Sequence, residues 1–167
     1  KLSISQSGQQ PVFLGIDVHK NTWNLTLIQN DQIIGRATIP PSIEVLQKTI
    51  GKHYGSPIHS VYEAGFIGFF LHYELAAIGI HNIVVAPNKI PVIIGDKVKT
   101  DRRDSLKLAT LLSKGMLNGI NTPPQNQINN RQFLRTREQL TRDRRRTILQ
   151  IKSLLIQYGI SPSQPGM

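Results

Sequence analysis

Between residues 12 and 39 the sequence carries three strand-length runs joined by short turns, and this constrains the fold more than any other feature. "VFLGIDV", 12 to 18, is a short apolar run and reads as a buried strand ending in an acid. "WNLTLIQ", 23 to 29, alternates, with Trp23, Leu25 and Leu27 on one face and Asn24, Thr26 and Ile28 on the other. Asn30-Asp31 supplies a two-residue turn, and "QIIGRATI", 32 to 39, returns beside it. Together these runs predict an antiparallel meander.

The next segments change in kind. Pro40-Pro41 punctuates the chain, and Ser42 is placed to cap a helix over 43–52, with Ile43, Leu46 and Ile50 as its apolar stripe. "IHSVYEA", 58 to 64, is a second strand ending in an acid. A helix over 69–78 follows, with Phe70, Leu71, Leu75 and Ile78 as candidate packing residues and Gly79 as its stop. "HNIVVAP", 81 to 87, is another buried strand, and residues 88–100 are ambiguous because of Pro91 and Gly95. A helix over 102–115 is lined by Leu106, Leu108, Ala109 and Leu112. A meander followed by helix-linked strands predicts an α/β fold, a mixed sheet flanked by helices.

From 127 to 158 there is neither Gly nor Pro. One helix of that length is about 45 Å long. Phe133, Leu140, Thr147 and Leu154 recur at seven, a weak coiled-coil signal. Arg131, Arg135, Arg137, Arg142, Arg144, Arg145, Arg146 and Lys152 outnumber the acids and give a stronger phosphate-contact signal. The chain as a whole has 20 Lys and Arg against 10 Asp and Glu, a net charge of +10. Such a balance points first to a nucleic acid and second to an anionic membrane.

Other classes are excluded or unsupported. The chain contains no cysteine, so disulfides and thiolate metal sites are out. No apolar run approaches the roughly 18 to 20 residues that span a bilayer, and the first residues lack an apolar secretory core, so a cytoplasmic, nucleoid-associated protein is expected. The histidines have no zinc-like spacing, and Gly65 to Gly68 is too short for a phosphate-binding loop. An actin-like ATPase shares the early strand-acid pattern but needs phosphate loops that are absent here.

The scarce acids are placed suggestively. Asp17 ends the first strand and Glu63 the fourth. If those strands are neighbours, the two carboxylates converge where open α/β sheets gather their chemistry. Asp101 and Asp104, three residues apart in "KTDRRDSL", share one helix face. They are a helix-start device, members of a salt-bridge network with Lys99, Arg102 and Arg103, or half of a metal site. Four converging carboxylates need positive charge between them, and Mg²⁺, with Mn²⁺ as substitute, is the natural hard-oxygen partner. Two such ions about 4 Å apart serve phosphodiester displacement. His19 is a surface turn residue, a phosphate contact or a donor to a ligand, and Trp23 and Tyr62 read as core.

Taken together, "FLGIDVHK" (13–20), "VYEAGFIGFFLHYELAAIGI" (61–80), "VVAPNKIP" (84–91) and "VKTDRRDSLKLATLLSKGML" (98–117) resemble the N-terminal domain of DEDD transposases of the IS110/IS1111 group. Residues 131–160 are similar to that family's connecting helical region. The resemblance implies an RNase H-like (RuvC-like) fold and places the D-E-D-D acids on Asp17, Glu63, Asp101 and Asp104. It implies Mg²⁺-dependent DNA strand cleavage and exchange, guidance by a structured bridge RNA in part of the family, and assembly as homodimers or higher oligomers. The implied layout is a loose 1–11, a catalytic domain over 12–120, a linker over 121–126, a long basic helix over 127–160 for dimerisation or nucleic-acid binding, and a tail over 161–167. Family members continue into a second domain carrying a serine for strand exchange. With the sequence ending at Met167, that domain is expected to be missing and the fragment alone to be recombination-incompetent. Two rivals stand beside this reading: a stand-alone RuvC-like nuclease or junction resolvase, and a non-catalytic nucleic-acid-binding and dimerisation module.

Overall fold

The computed structural model describes residues 9–91 and 101–161, with the side chains of Asp101 and Arg102 outside that description. The meander forms as the sequence predicts: β1 (Val12–Val18), β2 (Trp23–Gln29) and β3 (Gln32–Ile39). Asn30 and Asp31 take φ of 50° and 59°, the left-handed pair that matches the twist of a tight hairpin. The chain then passes through α1 (Ile43–Ile50), β4 (Ile58–Glu63), α2 (Phe70–Ala77), β5 (His81–Val85) and α3 (Asp101–Ser113).

The five strands make one sheet in the order β3-β2-β1-β4-β5. β2 runs antiparallel to β1 and β3. β4 runs parallel to β1, and β5 parallel to β4. Strands one and four are therefore neighbours, the condition on which the convergence of Asp17 and Glu63 rested. Three antiparallel strands extended by two parallel, helix-linked ones form the mixed RNase H-like sheet implied by the family resemblance.

Each face of the sheet is closed by helices. Val12, Leu14 and Ile16 of β1 pack with Leu46 and Ile50 of α1 and with Leu71 and Leu75 of α2. Ser42 caps α1 by accepting from the Val45 amide at 3.3 Å. Tyr62 is fully buried on this side and donates to the Gly68 carbonyl at 2.9 Å. Trp23 is also core. Phe70, a candidate packing residue, is instead exposed. Adjacent helix positions are about 100° apart around the axis, so Phe70 points away from the face that Leu71 and Leu75 bury. On the opposite face Val61 and Val85 pack with Leu108, Leu111 and Leu112 of α3. Because α3 covers this side, both faces of β2 are buried, including Asn24, Thr26 and Ile28.

The chain divides into two compact units, Lys1–Thr122 and Pro123–Met167. The second contains α4 (Gln125–Gln157), a single helix of 33 residues in which none is buried. Its length follows from the uninterrupted run without Gly or Pro, and it stops where Gly159 takes φ of 70°. No described helix is long and apolar enough to cross a membrane.

Candidate functional site

Strand alternation decides which side chains share the α3 face. Gly15 and Asp17 lie two apart in β1, and Val61 and Glu63 two apart in β4. Val61 packs against α3, and Glu63 registers opposite Val85, which belongs to the same cluster. The last parallel pair is Ile16 with Tyr62, so Asp17 and Glu63 are the next residues in step. The two acids thus stand at the carboxyl ends of neighbouring parallel strands, on the face that α3 covers.

Asp17 is the better enclosed of the two. Its side chain is 17% exposed, and its Oδ2 lies 2.8 Å from Nε2 of His19, which is 44% exposed. Glu63 is exposed. The sequence alone left His19 as a turn residue, a phosphate contact or a donor to a ligand. Its partner is the carboxylate two positions earlier, a signal that D-x-H at a strand end carries in principle.

Gly15 explains how α3 reaches this face. A Cβ there would collide with the Ser105 carbonyl oxygen and lie 2.6 Å from the Ala109 nitrogen. The missing side chain lets the helix backbone sit directly on β1. Thr26 Oγ1 and Ser105 Oγ, both buried, meet at 2.9 Å and fix the helix over β2. Asp104, half-buried, is the residue before Ser105, and Asp101 opens the same helix.

The remaining sequence-derived residues fall as follows. Asp101 and Arg102 are placed in α3 but their side chains are outside the described part, and Lys99 lies outside the described residues altogether. Arg103 is exposed. Arg131, Arg135, Arg137, Arg142, Arg144, Arg145 and Arg146 are all exposed on α4, and Lys152 is half-buried. They belong to the second unit.

The donor set suits a hard cation, because Asp17 and Glu63 offer carboxylate oxygens and no sulfur. Among the described residues no three His, Asp or Glu side chains come together closely enough to enclose an ion. The acids that are described are two at the strand ends, Asp17 and Glu63, and Asp104 in the first turn of α3.

Beside Asp17 lies a feature the sequence reading missed. A cavity of about 380 Å³ opens on the α3 face of β2 and β3, lined by Asn24, Thr26, Arg36, Thr38 and Ser105. Asn24 registers opposite Asp17. Pairing the meander residue by residue would have exposed this polar column.

These elements define an α/β chain of RNase H-like architecture with acids at the carboxyl ends of its central parallel strands. Its sequence matches the IS110-type DEDD transposase family, described simply as transposase, over residues 14–160, and the chain belongs to that family. It is 32% identical over 158 residues to the transposase for insertion sequence element IS1533 of Leptospira borgpetersenii, covering 91% of this chain and 45% of that protein. A putative transposase of Sinorhizobium fredii is 34% identical over 102 residues, covering 61% of this chain and 26% of the relative. The chain thus spans less than half the length of these curated relatives. Among solved structures, Thermus thermophilus RuvC superimposes with a TM-score of 0.42 at 12% identity, covering 65% of this chain and 99% of that one.

Proposed function

We propose that this chain supplies the acidic, DNA-cleaving domain of an insertion-sequence transposase, with Asp17, Glu63, Asp101 and Asp104 as its metal-holding residues. The observation that carries the proposal is the step of Asp17 and Glu63 at the ends of parallel β1 and β4, under α3. Family membership supports the reaction class. Mg²⁺ held by these carboxylates would polarise a scissile phosphodiester and the oxygen that attacks it.

The chain's own groups have distinct tasks in this reading. Asp17 and Glu63 are fixed by strand pairing, so their backbone positions need no reorganisation when substrate arrives. His19 holds one Asp17 oxygen in place at 2.8 Å. Gly15 and the Thr26–Ser105 pair hold the first turn of α3 over the strand ends. Lys99, Arg102 and Arg103 flank the α3 acids in sequence and would neutralise backbone phosphates there. The exposed arginines of α4 would add non-specific phosphate contacts to DNA, or to a structured guide RNA. The apolar residues between them, Phe133, Leu140 and Leu154, would pair two copies of the chain.

The test is Mn²⁺ binding followed by electron paramagnetic resonance, alongside Mg²⁺-dependent nicking of branched DNA by the whole chain. Asp17→Asn and Glu63→Gln are expected to lose both the bound-ion signal and the nicking while keeping salt-sensitive DNA binding. Unchanged Mn²⁺ binding in both variants would overturn the assignment. Tight DNA binding with no metal-dependent cleavage, even with partner domains supplied, would favour a binding and assembly module.

A further inference from the structure

We infer that the cavity beside Asp17 is a seat for a DNA backbone phosphate, formed by Arg36 and Asn24, next to the one held at the acids. The inference rests on the proposed acidic site for its choice of substrate, but its own geometry is separate. Asn24, Thr26 and Ser105 are 6%, 1% and 1% exposed, so the cavity floor is polar yet buried. Thr26 and Ser105 satisfy one another at 2.9 Å. Thr38 Oγ1 donates to Asn24 Oδ1 at 2.7 Å, which fixes the amide with its Nδ2 as the remaining donor. Among the described residues that Nδ2 has no acceptor. An amide held in a buried polar pocket with an unused donor calls for an acceptor from outside.

Arg36 supplies the charge. It registers opposite Thr26, so its side chain leaves the sheet on the same face as Asn24 and Thr38. It lines the cavity and is exposed at its mouth. Among the described residues, no carboxylate lines the cavity. A guanidinium fork and an amide N–H converging on one space match the oxygens of a phosphodiester. Asn24 pairs with Asp17 across adjacent strands and Arg36 lies one strand further, on β3, so this seat lies between one and two strand spacings, roughly 5 to 10 Å, to the side of Asp17. A nucleic-acid strand whose reacting phosphate rests at Asp17 therefore carries a neighbouring phosphate over Arg36. Asn24 and Arg36 are binding residues in this picture, and Thr38 is a positioning residue that acts through Asn24.

The experiment measures fluorescence anisotropy of a labelled DNA duplex bound by the whole chain in EDTA, across a NaCl series. Arg36→Gln is expected to weaken binding and to flatten the slope of log K against log salt by about 0.9, the release of one counterion fewer. Thr38→Val is expected to weaken binding about 2- to 10-fold with the slope unchanged, and Thr38→Ser to restore it. A methylphosphonate scan should find one phosphate whose neutralisation removes the difference between Arg36→Gln and the parent. An unchanged slope in Arg36→Gln, with the unfolding midpoint preserved, overturns the inference whatever happens at Asp17. An Arg36 effect seen with RNA and absent with DNA also overturns it. Failure of the acidic site appears elsewhere, as Mn²⁺ binding indifferent to Asp17→Asn.

Discussion

Gly15 of β1 lies so close to Ser105 of α3 that no side chain fits between strand and helix. The obstacle a Cβ would meet is helix backbone, which cannot turn aside as a side chain can. Gly15→Ala must push α3 away from the sheet or bend β1. Overpacking of a core costs roughly 1–3 kcal/mol and occasionally more, and this substitution belongs at or above the upper end. Urea unfolding of the variant is expected to show that loss. A midpoint equal to the parent would mean that α3 does not sit on β1 as described.

The hydroxyl pair between Thr26 and Ser105 makes a second, gentler test. Thr26→Val keeps the shape of the side chain but removes the buried 2.9 Å hydrogen bond between Thr26 Oγ1 and Ser105 Oγ. A buried hydrogen bond lost in this way costs about 1–2 kcal/mol. Adding Ser105→Ala to Thr26→Val should cost less than the sum of the two single changes, since the pair is shared. Strict additivity in denaturant unfolding would show that the two hydroxyls are not coupled.

How much of this was legible in the sequence depends on which interactions are local. The Asn30-Asp31 turn, the Ser42 cap and the stop at Gly79 are encoded within a few residues, and each appears where its chemistry requires. β1, β2 and β3 have the bounds that their hydrophobic patterns give. The approach of Asp17 to Glu63 was conditional, because period-2 alternation gives a face but not a neighbour. Parallel pairing of β1 with β4 joins residues more than forty positions apart, which no local signal reports. The Arg36–Asn24 cavity escaped for a related reason. Asn24 reads as the outward side of a half-exposed strand, and only α3, arriving much later in the chain, buries it. The roles of Lys99, Asp101 and Arg102 fall on side chains outside the described part.

His59 and His81 face one another across β4 and β5, with their Nδ1 atoms 3.4 Å apart and Phe13 stacked on His59. Burial lowers the His59 pKa from its usual 6.5, and the His81 charge lowers it further. Burial, then Lys52, lowers His53 in the same direction. A histidine with a depressed folded pKa takes up a proton more readily when unfolded. Its contribution to stability is therefore complete above about 6.5 and declines as the pH falls through the window below that value. The unfolding midpoint should drop as the pH falls below about 6.5, and His59→Gln should shrink the drop. A pH dependence identical to the parent's would remove His59 as its source.

The apolar side chains of α4 give the last test, because they stand exposed on the helix. Phe133 is 71% exposed and Leu140 63% exposed, and the helix buries no residue. An isolated helix of this composition gains little from propensity alone, so its lasting order depends on a partner. Substituting exposed residues away from special features usually changes stability by no more than about 0.5 kcal/mol. Leu140→Glu with Leu154→Glu is therefore expected to leave the unfolding of the sheet-bearing unit in place. The same pair of changes puts charges into the seven-residue stripe and should convert a dimer to a monomer in analytical ultracentrifugation. If the parent chain already sediments as a monomer at tens of micromolar, the stripe does not pair two copies. The exposed arginines beside it would then have to account for the helix through nucleic-acid contacts alone.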